Sequence, residues 1–183
     1  MQHDSALLAA EPPASIVPAA AIEDMIALAR ETPPGCFVEL GVFMGGTAWH
    51  LARLAIRQDR EIHLFDTFAG IPEAGAEDIE HHPGEFAADE SQVRRAIPAA
   101  VFHVGQFPET MPRDLTDIAF VHVDCDQYAS AIAAIEEFFP RMVPGGIMLF
   151  DDYGCTSGVT RAVNERFIDI FKLTAHGKAY VKC

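Results

Sequence analysis

The sequence predicts an α/β fold, with a mostly parallel β-sheet covered by helices on both faces. Two observations carry this prediction: short apolar segments alternate with segments of helical period, and the apolar segments lack the polar face of a solvated strand. Strands that are apolar on both faces are typical of buried parallel sheets. The chain has 183 residues, 50% of them hydrophobic, and this length suits one domain that buries about 70% of its unfolded surface.

The chain begins with a segment of different character. Residues 1–19 contain Ala, Pro and Ser without a clear period, and we expect them to form a mobile N-terminal arm. Residues 20–183 then form a single domain. Its first helix is predicted from the helical spacing of Ile22 and Met25, and it ends before Pro33 because proline cannot continue a helix.

From residue 36 onward, predicted strands and helices alternate. In sheets of this kind, ligands bind outside the carboxyl ends of the strands, so the residues that follow each strand are the candidates for a site. Residues 172–183 are predicted to add one or two short strands instead of a further domain. The predicted strands cover residues 36–42, 61–68, 100–105, 117–125 and 146–152, and the predicted helices cover residues 45–58, 89–97, 128–142 and 157–171.

Charge and cysteine usage exclude several classes of protein. There are 13 basic and 27 acidic residues, and a formal charge of −14 disfavours binding to nucleic acid or to an anionic membrane. No apolar run approaches the roughly 20 residues of a membrane span, and the N-terminus lacks the basic start of a signal peptide, so we expect a cytoplasmic protein. The scattered cysteines predict packed thiols rather than disulfides or a zinc site; they are Cys36, Cys125, Cys155 and Cys183.

A glycine-containing loop, ELGVFMGGT, joins the first strand to the next helix. Gly41, Gly45 and Gly46 allow a tight turn and the close approach of a ligand to backbone N–H groups, although a close-packed turn without a ligand would need the same residues. The loop is not the dinucleotide fingerprint G-x-G-x-x-G, because three residues separate Gly41 from Gly45. Asp66 ends the second strand, where an acid of a doubly wound fold binds the two hydroxyls of an adenosine ribose.

Three carboxylates follow two neighbouring strands. Asp124 ends the fourth strand, and Asp151 and Asp152 end the fifth. If these strands are adjacent, the carboxylates converge, and they repel one another strongly unless a divalent ion neutralises them. Oxygen ligands favour Mg²⁺, Mn²⁺ or Ca²⁺ over zinc. The alternative is that one Asp caps the helix at 157–171 while the other faces solvent.

Four ordered motifs, ELGVFMGGT, LFDTFAGIP, HVDCDQYAS and PGGIMLFDDYG, resemble the macrocin O-methyltransferase (TylF-type) family. These enzymes methylate sugar hydroxyls with S-adenosylmethionine and Mg²⁺. The resemblance covers about residues 36–170 and implies a Rossmann-like class I methyltransferase fold. The chain is similar, more distantly, to the catechol and caffeoyl-CoA O-methyltransferases.

The resemblance also implies roles for individual residues. The acid after the fourth strand is the favoured general base in the family, which points to Asp124, and Asp126 on the same turn is the competing candidate. Asp124 would also adjoin the cofactor. The resemblance assigns the methionine end of the cofactor to Glu39, Gly41, Val42, Gly45, Gly46 and Thr47. The ribose is assigned to Asp66 and Thr67, and the adenine to Gly105, Gln106 and Phe107. The metal is assigned to Asp124, Asp151 and Asp152.

The expected function is therefore metal-dependent O-methylation of a small-molecule hydroxyl, on a sugar or another diol. A catechol- or phenol-type O-methyltransferase and a non-catalytic S-adenosylmethionine-binding protein are the alternatives. A phosphatase with a D-x-D motif is excluded because no Lys lies between Asp124 and Asp151. The glycine motif begins only at residue 36, so we expect a short substrate lid, or a lid supplied by another subunit of a homodimer.

Several other side chains have two interpretations. Residues 73–90 are predicted to be either a mobile flap over the cofactor or a solvated acidic loop. His81 and His82 are expected at the surface without a role, and metal ligation is the alternative. Tyr128 and Tyr153 line the acceptor pocket or pack at helix starts. Lastly, Glu39 and His122 lie on strands predicted to be buried, where an ionised carboxylate requires a partner and His122 is expected to pack or to shape the pocket.

Overall fold

The computed structural model describes residue 7, residues 11–73 and residues 75–183. Within these residues the chain alternates strands and helices, as predicted. The strands are β1 (Cys36–Leu40), β2 (Ile62–Asp66), β3 (Val101–Val104), β4 (Ile118–Val123), β5 (Met142–Phe150), β6 (Lys172–Leu173) and β7 (Ala179–Lys182). The helices are α1 (Ala19–Arg30), α2 (Gly46–Arg57), α3 (Glu90–Ala96), α4 (Tyr128–Phe138) and α5 (Ser157–Phe167), and a short 3₁₀ helix covers Phe139–Arg141.

The strands form one seven-stranded sheet in the order β3-β2-β1-β4-β5-β7-β6. Strands β1 to β5 pair in parallel, whereas β7 is antiparallel to both β5 and β6. The strand order reverses between β1 and β4, and in doubly wound sheets this reversal opens a crevice at the carboxyl ends of the two strands. The mostly parallel sheet that the sequence predicts is confirmed.

The core consists of two apolar layers, one on each face of the sheet. Alternate side chains of β1 enter opposite layers: Phe37 packs with helices α1 and α2, and Val38 packs with helices α4 and α5. Phe37 also contacts Phe120 of β4, with ring centroids 6.0 Å apart. This alternation follows from the two-residue period of a strand.

Some boundaries differ from those predicted. The helix predicted at 128–142 ends as an α-helix at Phe138, and the chain continues as a 3₁₀ turn that contains Pro140. Strand β5 begins at Met142 instead of residue 146, because Met142 still pairs with Ile118 across an irregular register. Among the described residues, no helix is long and apolar enough to cross a membrane.

The described part of the predicted N-terminal arm packs against the domain. A Cβ at Gly46 would lie 2.5 Å from the Cβ of Ser15, so the arm crosses the start of α2 in close contact. Leu7 is 1% exposed and belongs to the core layer of α1 and α2. The mobility of the arm stays a prediction, and residues 1–6 and 8–10 lie outside the described residues.

Candidate active site

A cavity of about 410 Å³ lies at the carboxyl ends of the parallel strands. Volumes of roughly 300–1,000 Å³ are usual for small-molecule sites. The cavity joins the glycine loop, the ends of β2 and β3, and the acidic residues after β4 and β5. Of the predicted site residues, its wall includes Gly41, Val42, Gly46, Thr47, Asp66, Thr67, Gly105, Gln106, Phe107, Asp124, Asp126, Asp151 and Asp152.

Two predicted cofactor residues are not part of this wall. The Glu39 side chain is fully buried, and its Oε1 lies 2.7 Å from Nδ1 of His122, its register partner on β4. A carboxylate only accepts, so Nδ1 of His122 donates this hydrogen bond. Gly45 has φ +86°, and a Cβ there would point toward Val93 of α3, at 3.0 Å. In the structure, Glu39 therefore pairs with the side chain of His122, and Gly45 allows α3 to pack closely against the glycine loop.

The glycine loop is held by Asp66. Its Oδ2 accepts hydrogen bonds from the backbone N–H groups of Val42 (2.6 Å) and Phe43 (2.8 Å), and its Oδ1 accepts one from Phe68 (2.7 Å). A carboxylate offers about four acceptor positions, so these contacts leave about one for a ligand. Asp66 therefore anchors the loop, and the predicted contact with both ribose hydroxyls requires some of these bonds to be exchanged.

The three predicted metal ligands come together. Asp124, Asp151 and Asp152 each place a carboxylate oxygen within 4.8 Å of the others. The strand ladder sets this geometry, because the backbone N–H of Asp124 donates to Leu40 and that of Asp151 donates to Val123, both at 2.9 Å. Adjacent parallel strands that end at the same level therefore bring together carboxylates that are far apart in the sequence.

The three carboxylates differ in their electrostatics. Burial and the charge of Asp152 raise the pKa of Asp124 well above its usual value, and burial and the charge of Asp126 raise the pKa of Asp152 to about 7. Burial also acts to raise the pKa of Asp151, but His122 and Lys178 outweigh it and hold that pKa below its usual value. Three crowded carboxylates, two of them with raised pKa values, offer hard oxygen donors that fit a divalent cation such as Mg²⁺.

We expect the stability of the metal-free protein to fall as pH rises from about 4 to about 7. The pKa of Asp152 is about 7 in the folded protein, compared with an unperturbed value of 3.8 in the unfolded chain. Ionising this carboxyl group therefore destabilises the folded state. This cost is absent below the lower pKa and complete above the higher one; a shift of this size corresponds to a few kcal/mol, on the order of 1.4 kcal/mol per pH unit. Urea unfolding with EDTA at several pH values measures it.

Two controls accompany this measurement. Millimolar Mg²⁺ is expected to flatten the decline, because a bound divalent ion favours the ionised carboxylates. The Asp152→Asn variant is expected to be more stable than the wild type at neutral pH without metal, and to show a weaker pH dependence. A decline that is equally steep in Asp152→Asn would exclude this carboxyl as its source.

A chain of polar contacts leads from Asp151 into the core. His122 is fully buried, and its Nε2 lies 3.8 Å from Oδ1 of Asp151, which is longer than a hydrogen bond. Burial acts to lower the pKa of His122, but the carboxylates of Asp151 and Glu39 raise it well above its usual value. On the other side, Nζ of Lys178 lies 2.9 Å from Oδ2 of Asp151. Both oxygens of Asp151 thus face nitrogen atoms of basic side chains.

The acidic segment after β2 contacts the first residues of helices α4 and α5. Asp78 Oδ1 accepts a hydrogen bond from the backbone N–H of Tyr128 (2.7 Å), and Glu80 Oε1 accepts one from the backbone N–H of Ser157 (3.0 Å). A carboxylate at a helix start satisfies an unpaired backbone donor and interacts favourably with the helix dipole. More than half of the residues at 75–88 are exposed. We call residues 75–88 the lid segment, and its role as a flap over the cofactor stays a prediction.

His81 of the lid segment lies in the cavity wall, and the expectation that it has no role stays a prediction. Its Nε2 is 3.4 Å from Oδ1 of Asp126, and its Nδ1 is 2.9 Å from Oε2 of Glu85. His82, in contrast, is exposed as expected. No local pattern distinguishes the two histidines, because the contact that separates them is with a residue on a distant turn.

The two tyrosines follow the packing interpretation. The hydroxyl of Tyr128 donates to Glu165 at 2.7 Å, and that of Tyr153 donates to Asn164 at 3.2 Å. Both acceptors lie on α5, and neither tyrosine belongs to the cavity wall. Cys125 does belong to it, but burial and the neighbouring acids raise the pKa of its thiol well above its usual value, which disfavours a reactive thiolate.

The strand order, the glycine loop and the cavity at the carboxyl ends together define the Rossmann-like class I methyltransferase fold. Comparison with solved structures agrees: the chain is similar to the O-methyltransferase NovP, with 22% sequence identity and a TM-score of 0.79 over 92% of this chain and 81% of NovP. At this identity the similarity establishes the fold.

The chain belongs to the macrocin-O-methyltransferase (TylF) family, which matches residues 19–176. It is 33% identical over 139 residues to 8-demethyl-8-(2,3-dimethoxy-alpha-L-rhamnosyl)-tetracenomycin-C 4'-O-methyltransferase of Streptomyces olivaceus, covering 66% of this chain and 53% of the relative. It is 29% identical over 164 residues to demethyldecarbamoylnovobiocin O-methyltransferase of Streptomyces niveus, covering 79% of this chain and 61% of the relative. The chain thus spans only a little more than half the length of these curated relatives.

Proposed function

We propose that the protein is an S-adenosylmethionine-dependent O-methyltransferase that methylates a hydroxyl of a sugar or another diol-type small molecule. One observation carries the proposal: a single cavity joins the glycine loop to the cluster of Asp124, Asp151 and Asp152. A methyl donor bound at the loop and a hydroxyl held at the carboxylates would meet in that space. The names of the two relatives, which are O-methyltransferases of complex natural products, favour the same chemistry.

The cofactor is proposed to lie along the ends of β1, β2 and β3. Its methionine end would contact the backbone at Gly41, where a side chain is excluded, and its ribose would use the remaining acceptor position of Asp66. The adenine would lie beside Gln106 and Phe107, which follow β3 in the cavity wall. Glu39, the remaining predicted cofactor residue on β1, is buried behind the cavity wall, with His122 as its partner.

Asp124, Asp151 and Asp152 are proposed to hold Mg²⁺, or Mn²⁺ or Ca²⁺. When bound, such an ion lowers the pKa of a coordinated substrate hydroxyl toward neutrality. The three carboxylates would orient the acceptor through this ion, and the apolar side of the cavity, which includes Ile71 and Phe107, would exclude water from it.

The protein's own residues would then move one proton and align one bond. Asp124 and Asp126 both face the cavity and are the two carboxylates placed to accept the hydroxyl proton. The cofactor would supply the methyl group: the hydroxyl oxygen would form a bond to the methyl carbon as the carbon–sulfur bond breaks, and the electrons of that bond would remain on sulfur. The products would be a methyl ether and S-adenosylhomocysteine. Holding oxygen, carbon and sulfur collinear accounts for much of such catalysis.

The first experiment measures binding and turnover separately. Calorimetric titration with S-adenosylmethionine is expected to show binding, and a panel of sugar and catechol diols with labelled cofactor is expected to show Mg²⁺-dependent methyl transfer to a sugar hydroxyl. Binding without transfer to any diol would favour a non-catalytic binding protein. The absence of cofactor binding would contradict the methyltransferase proposal itself.

A further inference from the structure

Lys178 adjoins the carboxylate cluster, and the register of the C-terminal strands sets its position. Strand β7 pairs antiparallel with β5, and Phe150 is the partner of Ala179. Asp151, just after β5, and Lys178, just before β7, therefore face each other at the edge of the cavity. Lys178 is part of the cavity wall, although its position in the sequence, far from every acidic motif, gives no indication of this.

The contact between these two residues is buried and specific. Nζ of Lys178 lies 2.9 Å from Oδ2 of Asp151 and also donates to the backbone oxygen of Asp151. The side chains are only 13% and 11% exposed, respectively, so the pair is shielded from the screening that weakens surface ion pairs. The ammonium is also 3.9 Å from Sγ of Cys155.

We propose that Lys178 is a resident counter-cation of Asp151 that competes with the divalent ion for the carboxylate cluster. The inference rests on the proposed metal site, and concerns how this chain tunes it. When all three carboxylates are ionised, as a bound divalent ion favours, they carry a charge of −3, and Lys178 supplies one opposing charge at Asp151. The ammonium occupies one oxygen of Asp151 that a metal ligand would otherwise offer.

The charge of Lys178 is expected to raise the stability of the metal-free protein and to lower its affinity for the divalent ion. Without a divalent ion, the ammonium offsets repulsion within the cluster, so it stabilises the fold. With the ion bound, the ammonium is a like charge a few ångströms away, so it weakens binding of the ion. Its flexible four-carbon stem can carry the ammonium toward the open side of the cavity when the ion binds.

A purely structural role predicts a different result. If Lys178 only ties the C-terminal hairpin to the end of β5, removing it leaves Asp151 less well placed. Stability would then decrease, and binding of the divalent ion would weaken or stay the same. The two roles are therefore separated by the direction in which ion affinity changes.

The test measures Mn²⁺ binding by loss of the free-ion electron paramagnetic resonance signal, in wild type, Lys178→Met, Lys178→Gln and Lys178→Arg. We expect both neutral variants to bind Mn²⁺ about tenfold more tightly, because a like charge has been removed from beside the site. We also expect them to unfold at lower urea concentration in EDTA. Lys178→Arg is expected to resemble the wild type in Mn²⁺ affinity, since it keeps the charge.

Lys182→Met is the matched control, because Lys182 ends the β7 strand that Lys178 immediately precedes, is exposed, and pairs with Ile147 away from the carboxylates. It is expected to change neither property. If Lys178→Met does not fold, Lys178→Gln retains a donor for the backbone oxygen and carries the comparison. Unchanged or weaker Mn²⁺ affinity in the neutral variants would overturn the inference while leaving the metal site standing. A wild type that binds no Mn²⁺ would overturn both, and cofactor titration would still test the methyltransferase proposal.

Discussion

Replacing Gly41 with alanine is expected to lower the free energy of unfolding strongly and to abolish cofactor binding. Gly41 has φ +89°, and a Cβ there would lie 1.6 Å from the backbone oxygen of Asp124 and 2.6 Å from its carbonyl carbon. That oxygen belongs to main chain, so no side chain can turn away to relieve the clash, and the ends of β1 and β4 would have to separate. We expect a loss of at least about 4 kcal/mol, in the range that marks severe strain.

The control for Gly41→Ala is Gly177→Ala. Gly177 has a similar φ of +82°, but a Cβ there meets nothing within 4 Å. It is therefore expected to lose only about 1–2 kcal/mol, the cost of the left-handed backbone. Urea unfolding and calorimetric titration with S-adenosylmethionine measure the two effects. Equal stability of the two variants would show that β1 and β4 do not meet as closely as the structure has them.

Asp124→Asn is expected to reduce methyl transfer by at least about a thousandfold. The substitution removes a candidate general base, whose loss typically costs about 10²–10⁴-fold, and also a predicted metal ligand. Affinity for Mn²⁺ is expected to fall in parallel. The metal-free protein is expected to become more stable at neutral pH, because the buried carboxylate that repels Asp152 has been neutralised. Methyl-transfer kinetics, Mn²⁺ titration and urea unfolding measure the three effects.

Asp126→Asn separates the two candidate bases. Asp126 is not one of the three carboxylates that converge within 4.8 Å, so this variant is expected to lose less Mn²⁺ affinity than Asp124→Asn, through the loss of one nearby negative charge. If Asp126 is the base, transfer at saturating Mn²⁺ falls strongly; if Asp124 is the base, transfer in Asp126→Asn at saturating Mn²⁺ falls much less. Exposed Asp169, replaced by Asn, serves as the neutral control. Full turnover in Asp124→Asn would contradict a role in the reaction.

Much of the fold was predictable because its signals are local. The short apolar runs of β1 and β4 and the helical period of α2 and α5 each lie within about a dozen residues, and the structure has these elements within a few residues of the predicted bounds. Their ends were less predictable. The 3₁₀ turn at Phe139–Arg141 and the early start of β5 depend on pairing with Ile118, which no local window contains.

The site was predictable where it depends on strand ends. Asp124, Asp151 and Asp152 follow apolar runs, and parallel strands bring such positions to one edge, so their convergence followed from the order of the motifs. Glu39 was harder, because its partner depends on cross-strand register: the pairing of β1 with β4 sets it opposite His122. A carboxylate on a buried strand indicates that a partner exists, but the strand itself does not say whether that partner is a ligand or a side chain.

By itself, the sequence determined the alternation of strands and helices, the glycine loop, and the set of carboxylates at the strand ends. Only the tertiary structure decided that Asp66 anchors the glycine loop, that His81 reaches Asp126, and that Lys178 pairs with Asp151. The physical reason is the range of the interactions. Periodicity and turn chemistry act between neighbours along the chain, whereas ion pairs and hydrogen bonds depend on distances that the docking of the lid segment and the β5–β7 register set.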